Sequence, residues 1–132
     1  MIGVDTNVLV RLVAPDDQRQ NEMARAFFAG RTANDPAFVS SIVLAETVWL
    51  LRRRLGYSRA AVEDLVRNLL ASDDFVLEHG DRLAALLDEP ASARSQLADH
   101  LMAWSAERMG CTATVTFDKA AARRVPSMEL LA

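Results

Sequence analysis

The feature that most constrains this chain is the alternation of short apolar runs with longer helical stretches. Residues 1–5 read as a short buried strand. Strand-like runs return at Phe38-Val39-Ser40, Phe75-Val76-Leu77 and Thr114-Val115-Thr116-Phe117, and Met128-Glu129-Leu130-Leu131 is a candidate last edge strand. The segment Val8–Val13 is ambiguous by pattern alone. It is assigned to a helix because Asp5-Thr6-Asn7 before it offers turn and N-cap chemistry. Pro15 ends that helix, and Asp16 or Asp17 caps a second one running to about Gly30. Ala33-Asn34-Asp35-Pro36 is a loop. A strongly apolar helix over 42–55 closes with Arg52-Arg53-Arg54 and Gly56, a good C-terminal signal. Ser58 caps the next helix, to about Ala71. Further helices are predicted over 81–88, over 95–109 with Gly110 as the stop, and from Asp118 to Arg124. Strands alternating with helices in this way predict an α/β fold with a parallel sheet covered on both faces. In open sheets of that kind, ligands bind beyond the carboxyl ends of the strands.

A length of 132 residues predicts one domain, 1–132, with a sizeable core. Apolar residues at 51% and charged residues at 25% are the balance of a soluble globular protein. No apolar run is long enough to span a bilayer. The start, Met1-Ile2-Gly3-Val4-Asp5, has no basic region and reaches an acid at once, so a signal peptide is not expected. A single cysteine, Cys111, rules out an internal disulfide and fits a reducing cytoplasm. With no cysteine pair and only His79 and His100, a structural zinc site is not expected. The net charge of −3 argues against a protein that coats nucleic acid by charge alone. Basic residues do cluster locally, in Arg52-Arg53-Arg54 and in Lys119, Arg123 and Arg124. Each run also reads as a solvated helix face. Gly3 is the only glycine near the first strand, so neither glycine-rich nucleotide motif is present.

The acids stand where the strand-end rule points. Asp5 ends the first strand and Asp118 ends a later one, so two central parallel strands would present both at one sheet edge. Aspartate at a strand end is also a common turn or cap residue. Glu46 has Ile42, Val43, Trp49 and Leu50 at i−4, i−3, i+3 and i+4, which puts its carboxylate within an apolar helix face. Asp99 has Met102, Ala103 and Ala106 on its side of a helix, and is equally placed for an acid of the N-terminal turn. Buried carboxylates are costly unless paired, hydrogen-bonded or metal-bound. Converging acids also repel one another unless a cation lies among them. All-oxygen ligands select a hard ion, Mg²⁺ or Mn²⁺, over Zn²⁺. His100 lies beside Asp99 in sequence but turned towards Trp104, and reads as a packing or surface residue.

Four stretches together resemble the PIN-domain family, and within it the VapC-type toxins of bacterial toxin–antitoxin pairs. They are Val4-Asp5-Thr6-Asn7-Val8-Leu9, Ser41-Ile42-Val43-Leu44-Ala45-Glu46-Thr47, Leu97-Ala98-Asp99-His100-Leu101-Met102-Ala103 and Thr116-Phe117-Asp118. Each is weak alone. Four in the family's order, across almost the whole of a chain of family length, are specific. The resemblance implies a PIN-like three-layer α/β/α fold with a central parallel sheet of four to five short strands. It implies an acidic quartet of Asp5, Glu46, Asp99 and Asp118, with Asp5 and Asp99 as principal metal ligands. Glu46 and Asp118 would bind directly, through water, or at a second metal position. Thr6, Asn7 and Thr116 match small polar positions that orient the acids or the attacking water. Where the family often carries another acid, three residues before Asp99, this chain has Gln96 and so one negative charge fewer.

The activity so implied is Mg²⁺- or Mn²⁺-dependent hydrolysis of RNA phosphodiester bonds. The cation would lower the pKa of a bound water and stabilise charge on the phosphoryl oxygens. Arg11 and the 52–54 run, Arg52 and Arg53 in particular, would hold the RNA backbone. Two partners follow from the resemblance: a second copy of the chain, and a small antitoxin whose tail covers the acidic pocket with an inserted arginine. The competing readings are a non-catalytic PIN-fold interaction module and a receiver-like phosphotransfer domain. The receiver needs an acid pair at the first strand end, where this chain has Asp5-Thr6.

Overall fold

The structure, a computed structural model, describes residues 1–14 and 17–132. Pro15 and Asp16, read from the sequence as a helix stop and a helix cap, lie outside the described residues. Among the described residues, five short strands alternate with seven α-helices. The chain runs β1 (Ile2–Gly3), α1 (Thr6–Val10), α2 (Gln18–Ala29), β2 (Ala37–Val39), α3 (Ser41–Arg53), α4 (Arg59–Ala71), β3 (Phe75–Leu77) and α5 (Gly80–Asp88). After a 3-10 turn at Ala91–Ala93 come α6 (Leu97–Arg108), β4 (Thr114–Thr116), α7 (Lys119–Arg124) and β5 (Met128–Leu130). No helix among the described residues is long and apolar enough to cross a membrane.

The helix boundaries follow local chemistry. Asp5, Asp17, Ser40, Ser58 and Asp118 sit at N-caps in extended backbone, and each side chain accepts an amide of the following turn. Asp17 thus fills the cap predicted for α2. At the end of α3, Gly56 takes a left-handed φ of 68°. There the Leu55 and Tyr57 amides donate back to the Leu50 and Leu51 carbonyls, closing the helix. Gly110, with a φ of 86°, follows the end of α6 in the same left-handed region.

The chain resolves into two compact units, Met1–Ala84 and Ala85–Ala132, whose boundary falls inside α5. In the first unit, β1, β2 and β3 form a parallel sheet in that order, with Ile2 opposite Ala37 and Ala37 opposite Phe75. Its core takes Leu9 from α1, Ala37 and Val39 from β2, Leu44 and Leu51 from α3, and Val62, Val66 and Leu69 from α4. The α4 set repeats at i, i+4 and i+7, one stripe of a helix. Each such buried Val or Leu contributes about 1.5–3 kcal/mol relative to exposure. In the second unit, β4 and β5 pair in parallel, Thr114 with Met128 and Thr116 with Leu130. There Ala103 of α6, Ala121 of α7, Val125 and Met128 form the core.

All pairings between these strands are parallel, as the alternation predicts. The single sheet of four to five strands is replaced by a three-stranded and a two-stranded ladder. The Ile2 and Val4 amides both donate towards the β2 segment, to the Pro36 and Phe38 carbonyls.

Candidate active site

In the first unit, Asp5 stands two residues beyond β1 and serves as the N-cap of α1. Its Oδ1 accepts the Thr6 amide at 2.7 Å. The buried Thr6 and the exposed Asn7 open the helix behind it. Asp5 and Asn7 line a groove of about 530 Å³ between α1 and α2. Arg11 and Gln20 are further polar residues of that groove, and Val8, Met23, Ala24 and Phe27 supply much of its apolar surface. Arg11 closes α1, and its Nε and Nη2 both donate to Gln20 Oε1, at 3.1 and 2.8 Å.

Glu46 lies in the second turn of α3, and its environment corrects the sequence reading. It is exposed, and so are its helical neighbours Ile42 (82%) and Trp49 (51%). The helix carries two apolar stripes. The one that packs inward is Leu44, Thr47 and Leu51, spaced i, i+3 and i+7, and Glu46 belongs to the other. Burial therefore forces no partner on Glu46. The start of α3 is tied to the sheet. Ser40 Oγ accepts the Val43 amide at 3.2 Å, and Oε1 of Glu78, the residue after β3, accepts the Ser41 amide at 2.8 Å.

In the second unit, Asp99 is half-buried in the first turn of α6, and its Oδ2 accepts a hydrogen bond from the Ser95 hydroxyl. Gln96, the position with one acid fewer, is the N-cap residue of α6 and makes no side-chain cap bond there. His100 is buried, as the packing reading expected. Its Nε2 accepts the Ser95 amide at 3.2 Å, and its ring centre is 6.0 Å from that of Trp104. Asp118 stands two residues beyond β4, exposed, and caps α7 through Oδ1, which accepts the Ala120 and Ala121 amides at 2.9 and 3.0 Å. Thr116 Oγ1 accepts the Asp118 amide at 3.1 Å and so fixes the turn that carries the carboxylate.

Asp5, Asp99 and Asp118 each engage one carboxylate oxygen in a local hydrogen bond, which leaves the other for a cation. The donor chemistry suits a hard divalent ion. Among the described residues, no group of three or more His, Cys, Asp or Glu side chains is gathered so as to hold a metal ion. Two contributors escaped sequence reasoning. Ser95 was legible only as a hydroxyl four residues before Asp99, and Glu78 acts across 37 residues of chain.

In parallel α/β folds ligands bind beyond the carboxyl ends of the strands, and Asp5 and Asp118 each stand just beyond a strand end of their own unit. The sequence model of the PIN domain family matches residues 2–126, and the chain belongs to that family. PIN domains are nuclease-type domains that generally depend on Mg²⁺ or a similar divalent ion. The match sets aside the receiver-like reading. A comparison with curated proteins gave no significant match.

Proposed function

We propose that this chain is a metal-dependent endoribonuclease, working as a single domain over residues 1–132, and the toxin of a VapBC-type pair acting in the cytoplasm. The observation that carries the reading is the family match across residues 2–126. Asp5, Glu46, Asp99 and Asp118 are the proposed catalytic acids and the ligands of Mg²⁺ or Mn²⁺. The bound cation supplies Lewis acidity towards the phosphate and acidifies water. The chain's own contribution is positioning. The Thr6 amide holds one Asp5 oxygen, the α7 amides hold one Asp118 oxygen, and the Ser95 hydroxyl holds one Asp99 oxygen. Each carboxylate is thereby oriented before substrate arrives, with Thr116 setting the turn beneath Asp118. Thr6 and Asn7 support the first strand end.

The test is cleavage of a structured RNA with Mg²⁺, with EDTA, and by Asp5→Asn with Mg²⁺. Cleavage is expected only in the first. Equal cleavage in all three assigns it to a contaminant and removes the nuclease reading. The proposed partners, a second copy and a small antitoxin, are checked by sizing the protein with and without its co-expressed neighbour.

A second reading is the non-catalytic interaction module. It is favoured by the exposed Ile42 and Trp49 flanking Glu46. Calorimetric titration with Mg²⁺ separates the two: heat of binding that disappears in Asp99→Asn supports the enzyme, and no heat supports the module.

A further inference from the structure

In the second unit, Phe117 stands between two residues that already have parts, Thr116 and Asp118, and has none itself. Its side chain is 79% exposed directly after β4. The core of this unit, Ala103, Ala121, Val125 and Met128, does not take that ring, although burying it would be favourable. Val115, two residues back on β4, is exposed as well. The backbone that carries the ring is braced. Thr116 Oγ1 accepts the Asp118 amide at 3.1 Å, and Asp118 Oδ1 accepts two amides of α7. Beyond Asp118 the exposed charges are positive. Lys119 and Arg123 are i and i+4 on α7, with the buried Ala121 on the opposite side of the helix. Like charges at that spacing repel, and among the described residues neither forms an ion pair.

From this placement we infer that Phe117 is a base-stacking platform for single-stranded RNA, with one nucleobase on its ring and phosphates of the same strand on Lys119 and Arg123. The inference rests on the nuclease reading for its substrate, and gives that reading a residue that holds the strand next to Asp118. A ring face with cations beside it suits a single strand, since every base offers a π-face and every nucleotide a negative charge. One anionic chain lying along Lys119 and Arg123 also relieves their mutual repulsion. An acidic peptide would answer the charges but brings no flat face to the ring. An anionic lipid surface would meet the exposed Asp118, and Glu129 opposite Val115, as like charges. A base fixed on Phe117 sets which nucleotide of the strand is presented to Asp118, so the ring governs the choice of cut site.

The experiment is fluorescence anisotropy of a short labelled RNA of mixed sequence, in EDTA so that nothing is cut, across a salt series. An abasic strand of equal length and charge is measured beside it. The wild type is expected to bind the RNA more tightly than the abasic strand. Phe117→Ala should bind the RNA about fivefold more weakly or worse, the loss of one stacked base, with the slope of log affinity against log salt unchanged. Phe117→Tyr keeps the affinity, and Phe117→Leu, apolar but without a ring face, does not. Arg123→Ala flattens the salt slope by about 0.7, one phosphate contact on a single strand. Met109→Ala, exposed before the other end of β4, leaves binding unchanged. Circular dichroism checks that the variants fold. The inference is overturned if Phe117→Ala binds the RNA with wild-type affinity, if Phe117→Leu binds as well as Phe117→Tyr, or if the abasic strand is bound as tightly as the RNA. It is also overturned if Phe117→Ala turns a dimer into a monomer on sizing, which makes the ring an interface between copies. Cleavage with Mg²⁺ is read separately. Base-dependent binding through Phe117 without cleavage removes the nuclease reading and leaves the platform. Cleavage at wild-type sites, with normal binding, by Phe117→Ala removes the platform and leaves the nuclease.

Discussion

Asp5 and Asp118 each cap the helix that follows the strand they end, so replacing them tests structure and chemistry together unless the replacement is chosen with care. Asparagine caps a helix about as well as aspartate, whereas alanine costs about 1 kcal/mol. Asp5→Asn and Asp118→Asn are therefore expected to stay within about 0.5 kcal/mol of the wild type in urea unfolding. Asp5→Ala and Asp118→Ala should lose about 1 kcal/mol. All four are expected to abolish RNA cleavage, and a cleaving asparagine variant removes that residue from the catalytic set. A separate pH test falls on Asp35. Its hydrogen bond and charge pairing with the Met1 amine, with Arg31 alongside, hold its carboxyl below the usual range. A depressed carboxyl stabilises the fold above its unfolded pKa and loses that contribution as pH falls through the folded value. Asp35→Asn should thus unfold at a lower temperature than the wild type near neutrality, with the gap closing in acid. The capping roles were legible in the sequence, because Asp-Thr-Asn before an apolar run is local chemistry. The Glu78 link to Ser41 was not, since no local pattern joins residues 37 apart.

At the scale of elements, α3 decides most. Its inward stripe and its exposed stripe are both apolar, and the two respond differently to truncation. Leu51 is fully buried on the core side, whereas Ile42 is largely exposed. Leu51→Ala is expected to cost about 2–5 kcal/mol. Ile42→Ala should change stability by about 0.5 kcal/mol at most. Denaturant midpoints of the two variants check this, and an equal loss would return Glu46 to a buried face. The N-terminus of α3 makes a further test. Glu78→Ala removes the carboxylate that accepts the Ser41 amide near the positive end of the helix. The loss of that charged acceptor is expected to cost about 1 to about 2 kcal/mol. Glu78→Gln keeps an acceptor oxygen and should restore part of it.

For the molecule as a whole, membership of the PIN family makes the cation the quantity to measure. If the four acids hold Mg²⁺, the folded state is stabilised by mass action, and the melting temperature rises with Mg²⁺ concentration and falls back with EDTA. Asp99→Asn should remove that rise, and a rise that survives the substitution places the ion elsewhere. Read alone, the sequence settled the order of elements, their parallel sense, most helix boundaries and the family. All of these follow from local periodicity, cap chemistry and short motifs. Tertiary structure decided the division of the strands into two ladders and which stripe of α3 is buried. Helical periodicity marks Ile42, Glu46 and Trp49 as one face and Leu44, Thr47 and Leu51 as another. It carries no information on which face meets a neighbour, because burial belongs to the packed pair of surfaces and not to one helix.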